Sequence, residues 1–197
     1  MPVKYSVLLT VLTTLLLAAR NLAAEIEIGA AGPDFSAVGV DDQPFQLANV
    51  KDAKLVVLCF TCNDCPVARA YEERLIEFVN QFESKGVKLI AVNCNNRTEN
   101  LQVMKKHAAE AGFNFPYVFD QTGQAARAYG AQVTPHLFVL DADRKVAYRG
   151  AFDDSQQDPR TAYVVDAVTA LLEGKTPTTS STKAFGCGIK LKEPATN

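Results

Sequence analysis

The apolar positions of this chain fall into two patterns that alternate along its middle part. After Lys54 an uninterrupted apolar run reaches Phe60, as in a strand that is buried on both faces of a sheet. Beyond it, apolar residues recur three or four positions apart, which is the spacing of one helix face. These residues are Val67, Tyr71, Leu75, Phe78 and Phe82. Lys85-Gly86 ends the predicted helix, and Val87 to Asn93 is the next predicted strand.

The alternation continues to about residue 174 and predicts one α/β domain, because strands that alternate with helices are typical of a partly parallel sheet covered by helices. The further predicted elements are a helix from a Thr98 cap to Ala111, a strand at Pro116–Phe119, a helix at Gln121–Tyr129, strands at Leu137–Leu140 and Lys145–Arg149, and a helix at Arg160–Glu173. The polar composition after Gly174 predicts that residues 175–197 form a flexible tail, which carries Cys187.

The N-terminus has the three parts of a signal peptide. Lys4 precedes an apolar stretch from Val7 to Ala19, and small residues follow at Ala23-Ala24. We expect cleavage near Ala24, so that residues 1–24 are the signal peptide and residues 25–174 the folded domain. The apolar stretch is short for a membrane-spanning helix, and an uncleaved membrane anchor is the alternative. The protein is therefore expected to be periplasmic or secreted.

Charge and motifs exclude two classes of partner. The formal net charge is −2, and loss of Lys4 and Arg20 with the signal peptide makes the remaining chain more acidic. A mildly acidic protein has no basic field with which to hold nucleic acid. No glycine-rich phosphate-binding motif occurs either, so we expect no nucleotide and no other cofactor.

The chain has five cysteines, and all of them follow the signal peptide. Disulfides persist in an oxidising compartment, but an odd number cannot all pair with one another. At least one sulfur must stay free, pair transiently or join a partner, which favours exchange chemistry. Cys59 and Cys94 lie in or just after predicted strands and are expected to be core residues.

Two cysteines stand at the junction of a predicted strand and helix, in Phe60-Thr61-Cys62-Asn63-Asp64-Cys65-Pro66. Backbone N–H groups and the positive end of the helix dipole should face the first sulfur and favour its thiolate. We therefore expect Cys62, nearer the surface and just before the helix cap, to attack and Cys65, one turn inside the helix, to resolve. A zinc site is the alternative, but no second Cys-x-x-Cys or His-x-x-x-His completes four ligands.

Several motifs in a fixed order resemble the thioredoxin-like redoxins of the AhpC/TSA group. The motifs are Gly32-Pro33-Asp34-Phe35, the strand followed by Cys-x-x-Cys-Pro and a helix, and Val133-Thr134-Pro135-His136 before a strand. Two further motifs, from Arg149 to Asp154 and from Ala184 to Lys190, are similar to an exported bacterial subgroup. The resemblance covers nearly all of residues 27–192.

This resemblance implies a thioredoxin-like fold, with a central mixed β-sheet flanked by helices in a single domain. It implies that Pro135 is a cis-proline opposite the cysteines and that Thr134 presents backbone polar groups to an extended substrate segment. It also implies a thiol-disulfide oxidoreductase whose partners are protein thiols or disulfides of an exported protein. An ordinary trans proline is the alternative for Pro135.

The spacer between the two cysteines indicates how reducing the redox couple is. Asp64 places a carboxylate near Cys62. A negative charge opposes the thiolate, so we expect a less depressed thiol pKa and a comparatively reducing couple. A helix cap is the alternative role of Asp64.

Two residues outside the motif are further candidates. Cys187 lies between two glycines and is expected either to be a third redox cysteine, to bridge to another molecule, or simply to pack. His136 follows Pro135 and is a candidate proton shuttle or metal ligand, with a hydrogen-bonded structural histidine as the alternative.

Two other functions remain open. The first is a thiol peroxidase, whose framework this chain resembles. However, the residues that precede Cys62 and Cys65 do not match the peroxidatic motif Pro-x-x-x-Thr/Ser-x-x-Cys. A copper-binding thioredoxin-like chaperone is the other, with Cys62, Cys65 and His136 as ligands, since thiolates suit Cu(I). The cysteine spacing here is one residue shorter than in such chaperones.

Overall fold

The computed structural model describes residues 24–192. The predicted signal peptide lies outside the described residues except for Ala24, so its existence stays a prediction. No helix among residues 24–192 is both long and apolar enough to cross a membrane.

The described chain folds into nine strands and five α-helices. The strands are β1 Ser36–Gly39, β2 Pro44–Gln46, β3 Leu55–Thr61, β4 Val87–Asn93, β5 Tyr117–Phe119, β6 Val133–Thr134, β7 His136–Leu140, β8 Val146–Gly150 and β9 Cys187–Gly188. The helices are α1 Pro66–Ala70, α2 Glu72–Phe82, α3 Leu101–Ala111, α4 Gln124–Tyr129 and α5 Tyr163–Leu172.

Seven strands form one mixed sheet in the order β2-β1-β5-β4-β3-β7-β8. Strand β3 lies inside this sheet, parallel to β4 and antiparallel to β7. Its residues are all buried, as the continuous apolar run predicts. This arrangement confirms the thioredoxin-like α/β fold and directs the end of β3, where the cysteines follow, to one edge of the sheet.

Each face of the sheet packs against its own apolar core. On one face, residues such as Val57 pack with Phe78 of α2, Met104 of α3 and Val168 of α5. On the other, residues such as Phe60 pack with Tyr129 of α4. Because side chains alternate along a strand, β3 contributes to both cores, and the helices flank the sheet on both sides.

Three predicted helix starts differ from the structure, and α4 begins at Gln124 rather than at the predicted Gln121. Helix α3 begins after Asn100, whose Oδ1 accepts hydrogen bonds from the backbone N–H groups of Gln102 and Val103, so Thr98 is not its cap. Helix α5 begins at Tyr163 because the N–H groups of Arg160 and Thr161 bind the Asp154 carboxylate instead. Asx-type bonds of this kind compete with helix formation.

The described part of the predicted tail, up to residue 192, is hydrogen-bonded to the domain. The Thr182 N–H donates to the Arg149 carbonyl oxygen in β8, and the Arg149 N–H donates to the Ser180 carbonyl oxygen. The Thr182 hydroxyl lies 2.6 Å from the Tyr148 hydroxyl. Further along, β9 pairs antiparallel with β6. Polar residues here satisfy backbone groups of the domain, which composition cannot reveal because the partners are distant in sequence.

Candidate active site

The Cys-x-x-Cys motif lies between the end of β3 and the start of α1. Cys65 is the N-cap of α1, and its Sγ accepts a hydrogen bond from the Ala68 N–H at 3.4 Å. Pro66 occupies the first helical position, where its fixed φ favours a helix start. Cys65 is therefore at the cap rather than one turn inside the helix, and Asp64 does not cap it.

A single residue on the facing loop touches both sulfurs. The Oγ1 atom of Thr134 lies 3.2 Å from the Cys62 Sγ, and the Cys65 Sγ donates to the Thr134 carbonyl oxygen at 3.1 Å. The Thr134–Pro135 peptide bond is cis, as the resemblance implies. Thr134 and Pro135 thus form the wall opposite the cysteines.

Both sulfurs are buried and reduced. Cys62 and Cys65 are 2% and 1% exposed and form a small cluster with Ala68. The expectation that Cys62 lies nearer the surface is not met. Cys187, in the segment after α5, packs against this cluster and helps to cover the two sulfurs.

A buried carboxylate that sequence reasoning missed lies beneath the motif. Glu99 accepts hydrogen bonds from the backbone N–H groups of Asn63 and Asp64, at 3.1 to 3.2 Å, and from the Asn93 amide at 2.8 Å. The N–H groups of Asn63 and Asp64, which were expected to face Cys62, bind this carboxylate instead, while the Cys65 N–H still lowers the pKa of Cys62. Its one sequence signal is position: Glu99 follows β4, which is parallel to β3 and ends at the same edge.

The two thiols have opposite pKa shifts. Burial raises the pKa of Cys62 to about 12; the Thr134 hydrogen bond opposes this rise, and the negative charge of Glu99 adds to it. Burial also opposes ionisation of Cys65, but hydrogen bonds from the Cys187 thiol and the Ala68 N–H outweigh it and lower its pKa. With Cys187 in place, the environment therefore favours the thiolate of Cys65 over that of Cys62.

His136 makes no hydrogen bond to either sulfur. It is 1% exposed, its ring packs on Phe138 with centroids 4.5 Å apart, and neither ring nitrogen has a hydrogen-bond partner among the described residues. Burial, with a smaller contribution from Arg149, lowers its pKa to about 4. The structure thus gives His136 a neutral packing position, without the hydrogen bonds expected of a structural histidine.

The other predicted candidates separate into two groups. Cys59 and Cys94 are buried in the two cores, and burial raises the pKa of each thiol, as expected for core residues. Cys187, by contrast, lies beside Cys65. Among residues 24–192 no three His, Cys, Asp or Glu side chains are grouped as metal ligands, so the copper set with His136 is not assembled.

Comparison with known proteins shows where this architecture recurs. The AhpC/TSA family model matches residues 28–149. A hypothetical protein from Sinorhizobium meliloti 1021 is 31% identical, with a TM-score of 0.81 over 87% of this chain and 98% of that one. An uncharacterised conserved protein from Geobacillus kaustophilus is 35% identical, also with a TM-score of 0.81, over 86% of this chain and 94% of that one.

A curated relative adds a named activity. The thiol-disulfide oxidoreductase ResA of Bacillus thuringiensis subsp. konkukian is 26% identical over 122 residues, which are 62% of this chain and 68% of ResA.

Proposed function

This chain belongs to the AhpC/TSA family, and from that premise we propose that it is an extracytoplasmic thiol-disulfide oxidoreductase that uses Cys62 and Cys65. The observation that carries the proposal is the placement of both reduced sulfurs against Thr134, at 3.2 and 3.1 Å, beside the cis-proline. The named activity of ResA supports the same reaction class.

In the proposed cycle the Cys62 thiolate attacks one sulfur of a partner's disulfide. A bond forms between the Cys62 Sγ and that sulfur, and the partner's other sulfur leaves as a thiolate. The Cys65 thiolate then attacks the Cys62 Sγ, which releases the partner as a dithiol and leaves a Cys62–Cys65 disulfide. Two electrons pass from the pair to the partner, and the reverse sequence oxidises a partner dithiol.

The pKa values place one condition on the first step. Burial is the largest cause of the raised pKa of Cys62, so attack by this sulfur needs an opening of the site that returns water to it. Cys65 needs no such opening, because hydrogen bonds from the Cys187 thiol and then from the Ala68 N–H already lower its pKa. The environment therefore suits Cys65 to the resolving role that we propose for it.

We infer that the partner is an exported protein. The predicted signal peptide and the periplasmic or secreted location that follows from it support this inference, as does the odd number of cysteines. The backbone of Val133-Thr134 lies beside the sulfurs and has the strand geometry to pair with an extended segment of such a partner.

A redox titration tests the proposal. The mature protein is equilibrated in glutathione buffers, free thiols are alkylated, and linked peptides are identified by mass spectrometry. We expect a two-electron couple at Cys62–Cys65 that Cys62→Ser and Cys65→Ser each abolish. Cys59→Ala, a matched change of a core cysteine, should retain it. Absence of a Cys62–Cys65 disulfide from the unchanged protein at every glutathione ratio would refute the proposal.

A thiol peroxidase is the second candidate, and one observation favours it. Thr134 places a hydroxyl 3.2 Å from the Cys62 Sγ, although the residues upstream of Cys62 contain no such hydroxyl at peroxidatic spacing. Peroxide consumption by the reduced protein decides between the two. Rapid consumption that requires Cys62, with slow exchange on disulfides, would favour the peroxidase.

A further inference from the structure

We propose that Cys187 is a second resolving cysteine. It replaces Cys62 as the disulfide partner of Cys65 and so ties strand β9 covalently to the site, where β9 pairs with Thr134 of β6. The inference rests on the proposed exchange at Cys62–Cys65 and extends it to a third sulfur. Three independent features of the segment after α5 support it: its strand pairing, a glycine that permits close approach, and its attachments on both sides of Cys187.

Strand pairing places Cys187 at the site. In the antiparallel pair of β6 and β9, Cys187 lies opposite Thr134, and Gly188 lies opposite Val133. Thr134 is the residue that touches both active-site sulfurs. The Cys187 side chain packs against the cluster of Cys62, Cys65 and Ala68, so a third thiol already adjoins the pair.

Gly186 permits this approach. Its φ is +150°, and a Cβ atom on it would lie 2.0 Å from the Thr134 carbonyl oxygen. A residue with a side chain therefore cannot occupy this position without moving the strand away from the loop. Gly188, on the other side of Cys187, has no atom within 4 Å of its Cβ position and meets no such restriction.

The segment is attached on both sides of Cys187. Before it, the ring of Phe185 packs against that of Tyr71, with centroids 6.2 Å apart. After it, the Lys190 N–H donates to the Asn95 Oδ1 at 2.8 Å, and the Lys192 N–H donates to the Asn96 Oδ1 at 2.7 Å. These amides lie in the loop that also supplies Glu99. Cys187 is thus held at the site by the same loop that holds the motif.

The proposed step is an internal exchange that needs no further oxidant. Once a partner has oxidised the pair, the Cys187 thiol loses its proton to water, and its thiolate attacks the Cys65 Sγ. A Cys65–Cys187 bond forms, the Cys62–Cys65 bond breaks, and Cys62 leaves as a thiolate that takes a proton from water. The number of disulfides is unchanged, and Cys62 is free to attack again.

The exchange has a consequence for the partner. While β9 is paired, it occupies the backbone groups of Val133-Thr134 that an extended partner segment would use. A Cys65–Cys187 bond makes that occupation covalent. The structure thus points to a partner whose extended segment, with its own cysteine, displaces β9 and restores the dithiol by exchange.

The test uses the time course of oxidation in the full mature chain. Reduced protein is mixed with oxidised glutathione, samples are quenched with acid, and linked peptides are quantified by mass spectrometry. We expect Cys62–Cys65 to form first and Cys65–Cys187 to follow as the first linkage declines. Cys62→Ser blocks the exchange and should slow Cys65–Cys187 formation roughly tenfold. Absence of Cys65–Cys187 from the unchanged chain, or its formation at the same rate in Cys62→Ser, would overturn the inference.

A matched pair of glycine variants tests the strand placement. Gly186→Ala should lower the yield of Cys65–Cys187 roughly tenfold, because a side chain is strained there and contacts Thr134. Gly188→Ala, the same change two residues away, should leave the yield unaltered. Equal yields in both variants would contradict the role of β9, whereas the time course above needs no glycine variant and holds even if Gly186→Ala does not fold.

The proposed function can fail separately. In Cys187→Ser, a Cys62–Cys65 disulfide that still forms supports the exchange at the pair independently of the third sulfur. If that variant forms no Cys62–Cys65 disulfide and the unchanged chain forms only Cys65–Cys187, the proposed attack by Cys62 is wrong. If the pair forms and Cys65–Cys187 never does, only the further inference is wrong.

Discussion

At the scale of single residues, the carboxylate that governs Cys62 is Glu99 rather than Asp64. Glu99 is buried and opposes the Cys62 thiolate by its negative charge, after burial itself. It also binds the backbone N–H groups of Asn63 and Asp64, which hold the motif in its turn. The expected electrostatic effect of a carboxylate on Cys62 is thus present, but it comes from a residue 37 positions further along the chain.

Replacement of this charge should change the acidity of Cys62. We expect Glu99→Gln to lower the pKa of the Cys62 thiol by roughly one unit, because it removes a nearby negative charge from a site that water screens weakly. The pKa is measured from the thiolate absorbance of a Cys65→Ser, Cys187→Ser background, in which Cys62 is the remaining thiol of the cluster.

Glu72→Gln is the matched control for this change. Glu72 is also a partly buried carboxylate in a hydrogen bond, 2.6 Å from the His107 ring, but it is not among the charges that shift the pKa of Cys62. Its replacement should leave the pKa of Cys62 where it was. A pKa that stays unchanged or rises in Glu99→Gln would show that the charge of Glu99 does not act on Cys62.

At the scale of elements, the start of α3 determines where Glu99 lies. Asn100 caps this helix with its side-chain oxygen, one residue after Glu99. A cap orders the backbone on both sides of it, since it gives the unpaired N–H groups of the first turn an acceptor. The cap of α3 and the carboxylate under the motif are therefore parts of one loop.

This loop offers a direct comparison of the observed and the predicted cap. Asn100→Ala should lower the free energy of unfolding by about 1 kcal/mol, because two backbone N–H groups lose their acceptor. Thr98→Ala removes the residue that the pattern alone predicts as the cap and should cost less. Urea denaturation of both variants measures the difference; a larger loss in Thr98→Ala would contradict the cap assignment.

At the scale of the whole molecule, the segment after α5 is a structural part of the domain. The Thr182 hydroxyl lies 2.6 Å from the Tyr148 hydroxyl and accepts the Ala151 N–H at 3.0 Å. These contacts join residues more than 30 positions apart and lead the chain towards β9. The position of Cys187 thus depends on a series of attachments that begins at the edge strand β8.

Removal of one attachment should therefore destabilise the domain. Thr182→Val keeps the shape of the side chain but deletes its hydroxyl, which leaves the Ala151 N–H and the Tyr148 hydroxyl short of a partner. We expect a loss of about 1–3 kcal/mol in the free energy of unfolding. Ser181→Ala, an exposed neighbour, is the matched control and should change stability little. Equal small effects in both variants would mean that the Thr182 hydroxyl does not stabilise the domain.

Much of the fold is already present in local patterns of the sequence. The apolar run of β3 and the apolar stripe from Val67 to Phe82 predict a buried strand and a helix, because burial on two faces and burial on one helical face leave different periods. The structure contains both, but it divides the predicted single helix at Tyr71 into α1 and α2. The strand-to-helix junction at Cys62 and Cys65 follows from the same patterns. The family motifs add the cis bond before Pro135.

The sequence by itself thus indicated the central strands, most of the helices and the strand-to-helix junction that carries Cys62 and Cys65, since these depend on residues that are neighbours in the chain, whereas the facing loop with Thr134 came from the family resemblance. Only the tertiary structure decided which carboxylate acts on Cys62, that His136 packs on Phe138 without a hydrogen bond to the sulfurs, and that Cys187 adjoins Cys65. These three outcomes depend on contacts between distant segments. Desolvation and charge act through space, so the acidity of each thiol is a property of the folded chain and not of its motif.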